Sequence, residues 1–367
     1  MSAVTWKGAA TDGDARLGAM NTPHGRVPTP NFMPVGTRGT VKTVDVEDLR
    51  KVGAQIVLAN TYHLMLRPGE HVVAQLGELH GFMAWDGPIL TDSGGYQVLS
   101  LKPKISEEGL EFRSTYDGAR VELTPERAVA VQETLGSDIG MVLDVPVPLP
   151  SSRREAERAM QQTLRWAERA LESKQREDRA LFGIVQGGAE PDLREQSAKD
   201  IAALGFPGFG IGGLAVGETS TERNRALDAA IPHLPQDAVR YVMGLGDTDG
   251  ILAAIERGVD LFDCVIPTRL ARHGKAITRN GDISIKRAEW AVDPEPLDPQ
   301  CSCLACRRHS RGYLRHLYTT NEPLGQRLLT LHNLTYTFDL LRGAREAITE
   351  GRFAGYRDGV LRARMGD

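Results

Sequence analysis

From about Gly53 onward, short apolar runs rich in β-branched residues alternate with longer segments whose apolar positions recur at helical spacing. The runs Gln55–Ala59, Pro88–Thr91, Asp138–Leu143, Ala180–Val185, Phe209–Gly213, Arg240–Met243 and Val259–Cys264 predict strands. The segments between them carry helix-start signals. Thr124 stands before Pro125 and Glu126, a cap followed by a proline in the first turn, where its missing N–H costs nothing. Ser152-Arg153-Arg154-Glu155 reads as a capping box, and apolar residues follow at Ala156, Met160, Leu164 and Ala167. Strands alternating with helices predict βα units around a parallel sheet.

The residues just after the strands narrow the choice of sheet. Strand after strand ends in a polar or glycine-rich group: Thr91-Asp92-Ser93-Gly94-Gly95, Asp144, Gln186-Gly187-Gly188, Gly212-Gly213, Gly244-Leu245-Gly246 and Asp263. In a closed (β/α)8 TIM barrel all strands end on one face, so side chains far apart in sequence converge on one pocket. Seven such units predict that barrel; an open doubly wound sheet is the alternative. The expected layout is a β-rich N-terminal segment over residues 1–50 packed on the barrel, the barrel over 51–287 and 333–367, and a metal-binding subdomain over 288–332. The first 50 residues, rich in Gly, Pro and Thr, read as turns and short strands covering the barrel bottom.

Composition changes this picture little. With 367 residues, 41% of them hydrophobic and 25% charged, the chain can build a full core, which excludes a disordered or fibrous protein. No early apolar run suits a signal peptide, and none approaches the roughly 20 residues that cross a membrane, so a soluble, cytoplasmic protein is expected. A net charge of −4 advertises no general affinity for nucleic acid, so any such affinity has to be local. Two basic windows offer it. One holds Arg269, Arg272, Lys275, Arg279, Lys286 and Arg287 against the single acid Asp282; the other holds Arg307, Arg308, Arg311 and Arg315. A solvated face is the ordinary reading of either.

Cys301, Cys303 and Cys306, followed by His332, supply three thiolates and an imidazole, the soft four-donor set of a tetrahedral zinc site, with His309 and His316 nearby as competing candidates for the imidazole. With every position filled by protein, the expected Zn2+ is structural. Disulfides are the alternative and require an oxidising compartment. Such a subdomain would hold Arg307, Arg308, Arg311 and Arg315 in a fixed array. Cys264 is left over and reads as a buried, inert thiol.

Asp92, Asp144 and Asp263 fall at strand ends together with Gln186. Two carboxylates on one rim can divide the work of nucleophile and proton carrier at an anomeric carbon, and a third beside an amide can read the edge of a base. A lone aspartate at a strand end serves about as often as a helix cap. Gly208-Phe209-Gly210-Ile211-Gly212-Gly213 fits the dinucleotide pattern G-x-G-x-x-G only formally, because its glycines lie within and at the end of a strand. It reads instead as backbone bared to a flat ligand.

Taken together, TDSGGYQV (Thr91–Val98), GIVQGG (Gly183–Gly188), IGGLAVGE (Ile211–Glu218), YVMGLG (Tyr241–Gly246), DLFDCVIPTR (Asp260–Arg269) and the CSCLAC…H set resemble the queuine/archaeosine tRNA-ribosyltransferase family, its bacterial tRNA-guanine transglycosylases above all. The resemblance implies an enzyme that exchanges guanine in tRNA for a 7-deazaguanine through a covalent aspartyl-ribose intermediate. Asp263 would be the nucleophile and Asp92 the general acid/base. Asp144, Gln186 and the backbone at Gly213 and Leu214 would bind the base, and Tyr96 and Met243 would sandwich it. Arg269 and Arg272 would hold RNA, and a homodimer is implied as the working unit. The run Val145–Pro150 departs from the usual bacterial Glu-Cys sequence, which puts the incoming base in doubt. Val216 resembles the bacterial type and favours the aminomethyl base preQ1. A non-catalytic partner subunit on the same fold is a competing expectation, weakened by the presence of both Asp92 and Asp263. A zinc hydrolase is another, weakened by the lack of metal ligands on the barrel strands.

Overall fold

The computed structural model describes residues 3–214 and 217–366. Eight parallel strands close into a barrel in chain order: Asn31–Gly36, Val57–Ala59, Ile89–Thr91, Ile139–Met141, Ala180–Val185, Gly208–Ile211, Val239–Val242 and Leu261–Cys264. The last strand pairs with the first, Asp263 opposite Met33, and seals the ring. The expected (β/α)8 barrel is therefore what forms.

Seven strands fall on the apolar runs read from the sequence. The eighth, Asn31–Gly36, lies inside the segment set apart as residues 1–50, so the barrel starts some 20 residues earlier than expected. Pro34 hid it, because a proline inside an apolar run argues against a central strand by removing a ladder donor. Here all six residues are nonetheless buried.

Helix starts follow the local chemistry. Thr124 accepts from the Arg127 amide ahead of helix Pro125–Leu135, and the capping box of Ser152 and Glu155 opens helix Arg153–Ser173. That helix buries Ala156, Ala159, Met160, Thr163, Trp166, Ala167 and Ala170 along one face. Phe32, Phe182, Phe209 and Phe262 are wholly buried in the main core, each contributing on the order of 2 kcal/mol by leaving water.

An antiparallel sheet of Thr5–Asp12, Ala15–Thr22 and Gly25–Thr29 covers the barrel floor. Arg16 reaches Asp260, the residue just before the eighth strand, and His24 reaches Asp138, just before the fourth. A second three-stranded sheet, Lys104–Ile105, Leu110–Arg113 and Arg120–Leu123, is inserted after the third strand.

A separate core holds Ala271, Ala276, Ile285, Leu297, Cys301, Cys303, Ala305, Leu314, Leu317, Leu328 and Leu329. It reaches further toward the N-terminus than the expected 288–332. The 27-residue helix Pro323–Thr349 runs straight through the expected boundary at 332 and packs on both cores. Among the described residues, no helix is long and apolar enough to cross a membrane.

Candidate active site and metal centre

At the carboxyl ends of the strands lies a cavity of about 620 Å³. Asp92, Tyr96, Asp144, Gly213, Leu214, Met243, Asp263 and Arg269 all line it. Residues 171 positions apart, Asp92 and Asp263, thus open onto the same space. Gln186 stands behind the wall, 2% exposed, and Arg272 lies outside it with its Nε buried and without a hydrogen-bond partner among the described residues. A larger cavity, about 1060 Å³, sits at the opposite end between the N-terminal sheet and the floor, and none of the strand-end carboxylates reaches it.

The two carboxylates at the heart of the cavity are buried among neutral donors. Asp92 Oδ2 accepts from Asn60 Nδ2 at 2.5 Å and from Gln97 Nε2 at 3.0 Å, and its Oδ1 accepts from the Thr61 amide at 2.8 Å. Burial raises the Asp92 carboxyl to about 6 against the pull of these donors, and the charge of Asp263 adds to the rise. Asp263 Oδ1 accepts from the Tyr241 hydroxyl at 2.5 Å and from the Gly244 amide at 2.7 Å. Both bonds fall on one oxygen, so among the described residues Oδ2 keeps its lone pairs uncommitted. Burial raises Asp263 as well, while Tyr241 and Gly244 restrain it. The Tyr241 phenol is itself held well above its ordinary range by burial and by Asp263, so it stays a donor.

A second pair supports the neighbouring wall, Asp144 lining the cavity and Gln186 behind it. Gln186 Nε2 donates to Asp144 Oδ2 at 2.6 Å, and burial carries the Asp144 carboxyl up to about 7. A carboxyl poised there can present either a donor or an acceptor to a base edge. The glycines beside it divide into two groups. A Cβ at Gly208 would strike the Phe182 ring at 2.4 Å, so that glycine serves core packing inside the strand. Gly213 has φ +64°, and a Cβ there would come within 2.5 Å of Gln186 Oε1, so it serves the pocket. The formal dinucleotide pattern therefore mixes two unrelated demands.

Sequence reading missed Arg194. Fully buried, it donates to the carbonyls of Gly188, Val185, Gly212 and Gly213 and so ties the two glycine loops together. Burial lowers its guanidinium to about 10. It lies in a helix, where nothing local distinguishes it from a solvated arginine. Asn60 and Thr61 were missed too, although they follow the strand Val57–Ala59 and obey the same strand-end rule that selected Asp92. Cys264, 8% exposed, has its thiol raised to about 11 by burial, as an inert cysteine should. Val216 lies outside the described residues.

The donor atoms of Cys301, Cys303, Cys306 and His332 lie within 4.8 Å of one another. His332 Nδ1 is 3.6 Å from Cys303 Sγ and 3.3 Å from Cys306 Sγ. Bonds of about 2.3 Å to sulfur and about 2.0 Å to nitrogen at tetrahedral angles place such atoms about 3.5 Å apart. His332 Nε2 meets the Ile277 carbonyl at 3.0 Å, which keeps the proton there and leaves Nδ1 free as a ligand. The set therefore fits a tetrahedral divalent ion. Of the arginines expected to flank it as an RNA grip, Arg311 pairs with Asp293 and lies over Trp290, and Arg315 donates to the Arg287 carbonyl. Those two serve the subdomain itself.

Strand ends that gather buried carboxylates around one pocket, with a four-donor metal centre alongside, define a (β/α)8-barrel enzyme. Residues 11–365 match the family model described as queuine tRNA-ribosyltransferase. Curated relatives carrying that name include those of Desulforamulus reducens, 52% identical with 95% of each chain covered, and Pelotomaculum thermopropionicum, 50% identical with 99% of this chain and 98% of the relative covered. Another is that of Staphylococcus haemolyticus, 48% identical over 98% of this chain and 96% of the relative. The chain belongs to the queuine tRNA-ribosyltransferase family, which is a family of pentosyltransferase enzymes.

Proposed function

We propose that this enzyme exchanges guanine in tRNA, at the anticodon wobble position of G-U-N tRNAs, for a 7-deazaguanine on the way to queuosine. The observation that carries the reading is that Asp92 and Asp263 share one cavity while differing in their hydrogen bonding.

Asp263 Oδ2 attacks C1′ of the ribose, the C1′–N9 bond breaks, and its electron pair leaves with guanine. Asp92, raised to about 6, carries the proton that the departing base needs and later takes one from the incoming base. The entering base then attacks C1′ and frees Asp263, so configuration is retained by two displacements. Asp144, Gln186 and the Gly213–Leu214 backbone hold the polar edge of the base, with Tyr96 and Met243 on its two faces. Tyr96 is 62% exposed at the rim, where a flipped base gives a solvent-facing ring a partner. Arg269 at the cavity edge and Arg272 beyond it would take the RNA backbone.

The small aminomethyl base preQ1 is the incoming base this reading favours, on the likeness of IGGLAVGE to the bacterial type. Zinc is the ion we assign to the Cys3His set, because three thiolates and one imidazole leave no open position and suit a structural d10 ion.

Labelled guanine incorporated into a G-U-N tRNA, with preQ1, preQ0 and queuine as competitors, tests the activity. Asp263→Asn should bind tRNA normally, form no denaturation-resistant RNA adduct and lose about a thousandfold or more in rate. An adduct that persists in that variant removes Asp263 from the nucleophile role. A wild-type chain that binds tRNA but exchanges nothing points to the accessory subunit.

A further inference from the structure

The mouth of the barrel is electrically lopsided. The loops after the sixth and seventh strands bring Glu218 and Asp247 to the cavity wall, and Arg223 on the same side lies 4.0 Å from Asp247. Positive charge gathers on the next sector of the ring. Arg269 follows the eighth strand, Arg38 and Lys42 follow the first, and Arg67 closes the helix Thr61–Leu66 that follows the second. The eighth strand pairs with the first and the first with the second, so these cations stand in consecutive order around the rim.

Arg38 and Arg67 are gathered by a ring rather than by an acid. Their guanidinium carbons lie 5.5 Å and 5.1 Å from the centre of the Tyr116 ring, within the distance at which an aromatic face attracts a cation. Tyr116 is itself anchored: its hydroxyl meets His63 Nδ1 at 3.0 Å, and the neighbouring Thr115 hydroxyl meets that of Tyr62 at 2.9 Å. His63 lines the cavity. Burial, and then the charges of Arg38 and Lys42, hold its imidazole below the ordinary value, so the field of these cations reaches the cavity wall.

A solvated face does not account for this arrangement. Other surface arginines of the chain are taken up by acids, Arg153 by Asp192, Arg165 by Glu107 and Arg257 by Asp228. Arg38, Lys42 and Arg67 are exposed, and among the described residues no carboxylate pairs with them. Asp117, the acid that feels Arg67, is engaged with Ser114 and the Ala119 amide. Two guanidinium groups held against one ring repel each other, and an anion across them relieves that repulsion. Their forked donors match the oxygens of a phosphate.

We propose that Arg38, Arg67 and Tyr116 form a phosphate cradle that continues the Arg269 edge around the rim and holds the RNA strand beside the flipped guanine, with Lys42 adding charge. This rests on the reading of the cavity as a tRNA base-exchange site. The RNA lies over the sector of the eighth, first and second strands and away from Glu218 and Asp247, whose charges repel its phosphates. A chain of net charge −4 thereby grips RNA through one arc of its surface.

The test measures binding of a G-U-N anticodon stem-loop RNA to the full chain across a salt series, in the wild type, Arg38→Ala, Arg67→Ala and the double variant. Both arginines are exposed, and melting temperatures equal to the wild type show that the variants fold. In the double variant the affinity should fall on the order of tenfold, and the slope of log affinity against log salt should flatten by about 0.7 per arginine, as for a single strand. Arg67→Lys, which keeps the charge, should keep the slope. Affinity for free guanine, which carries no phosphate, should not move. A double variant with the wild-type affinity and salt slope overturns the cradle and leaves base exchange standing, since incorporation of labelled guanine is measured separately. A wild type that binds no stem-loop removes both readings.

Discussion

The two ends of the barrel bury carboxylates in opposite ways. At the floor, Asp260 is wholly buried but takes an ion pair from Arg16, whose remaining donors go to the Gln236 and Ala238 carbonyls. At the mouth, Asp92, Asp144 and Asp263 are buried with amides and a phenol as their hydrogen-bond partners, and no cation touches them among the described residues. Burial raises Asp260 as well, with the Arg16 charge pulling it back; at the mouth only neutral donors offset the cost of burying a charge, and Asp92 and Asp144 rise to about 6 and about 7. The floor spends its pairing on holding the fold closed. The mouth leaves Asp92 and Asp144 able to change charge near neutral pH, which proton transfer requires.

This contrast can be broken most sharply by removing charges. Arg16→Ala strands Asp260 as an uncompensated buried charge and should lower unfolding stability by about 3–5 kcal/mol. Asp92→Asn, measured in the same denaturant titration, should cost under about 1 kcal/mol or be stabilising, while exchange activity falls on the order of a hundredfold or more. Equal losses of stability in the two variants would erase the distinction between floor and mouth.

A pH series gives a smaller effect. Asp144 and Asp92 have folded values above their ordinary 3.8, so the folded state holds their protons longer than the unfolded state does. Their contribution to stability is complete below about pH 4 and declines as pH rises through about 6 for Asp92 and about 7 for Asp144. In Asp144→Asn the stability curve should be flatter across that window than in the wild type. An unchanged slope would mean that Asp144 is not the group titrating there. The smallest effect is expected from Tyr241→Phe, which removes one donor from Asp263. The rate should drop by about tenfold while affinity for tRNA holds, as single-turnover kinetics and binding would show.

Much of this site could be read from the sequence because a parallel barrel turns a local feature into a global one. A polar residue after an apolar run was enough to find Asp92, Asp144, Gln186 and Asp263, and the spacing of three cysteines found the metal set. Three things escaped. The strand Asn31–Gly36 was masked by Pro34, Arg194 carried no local sign of being buried, and Asn60 followed a strand but stood in no acidic or glycine-rich run. The arginines near the metal centre looked alike in sequence, yet Arg311 and Arg315 turn inward to their own subdomain.

The order of chemically distinct residues along the chain, and the alternation of strand and helix, were determined by the sequence alone, since both rest on local periodicity and capping. What only the tertiary structure decided was the environment of each charged group. Whether a buried aspartate meets a guanidinium, as Asp260 does, or only neutral donors, as Asp92 does, depends on which distant segments the closed ring brings against it. Desolvation and charge pairing are properties of that surrounding shell, and no residue type carries them by itself.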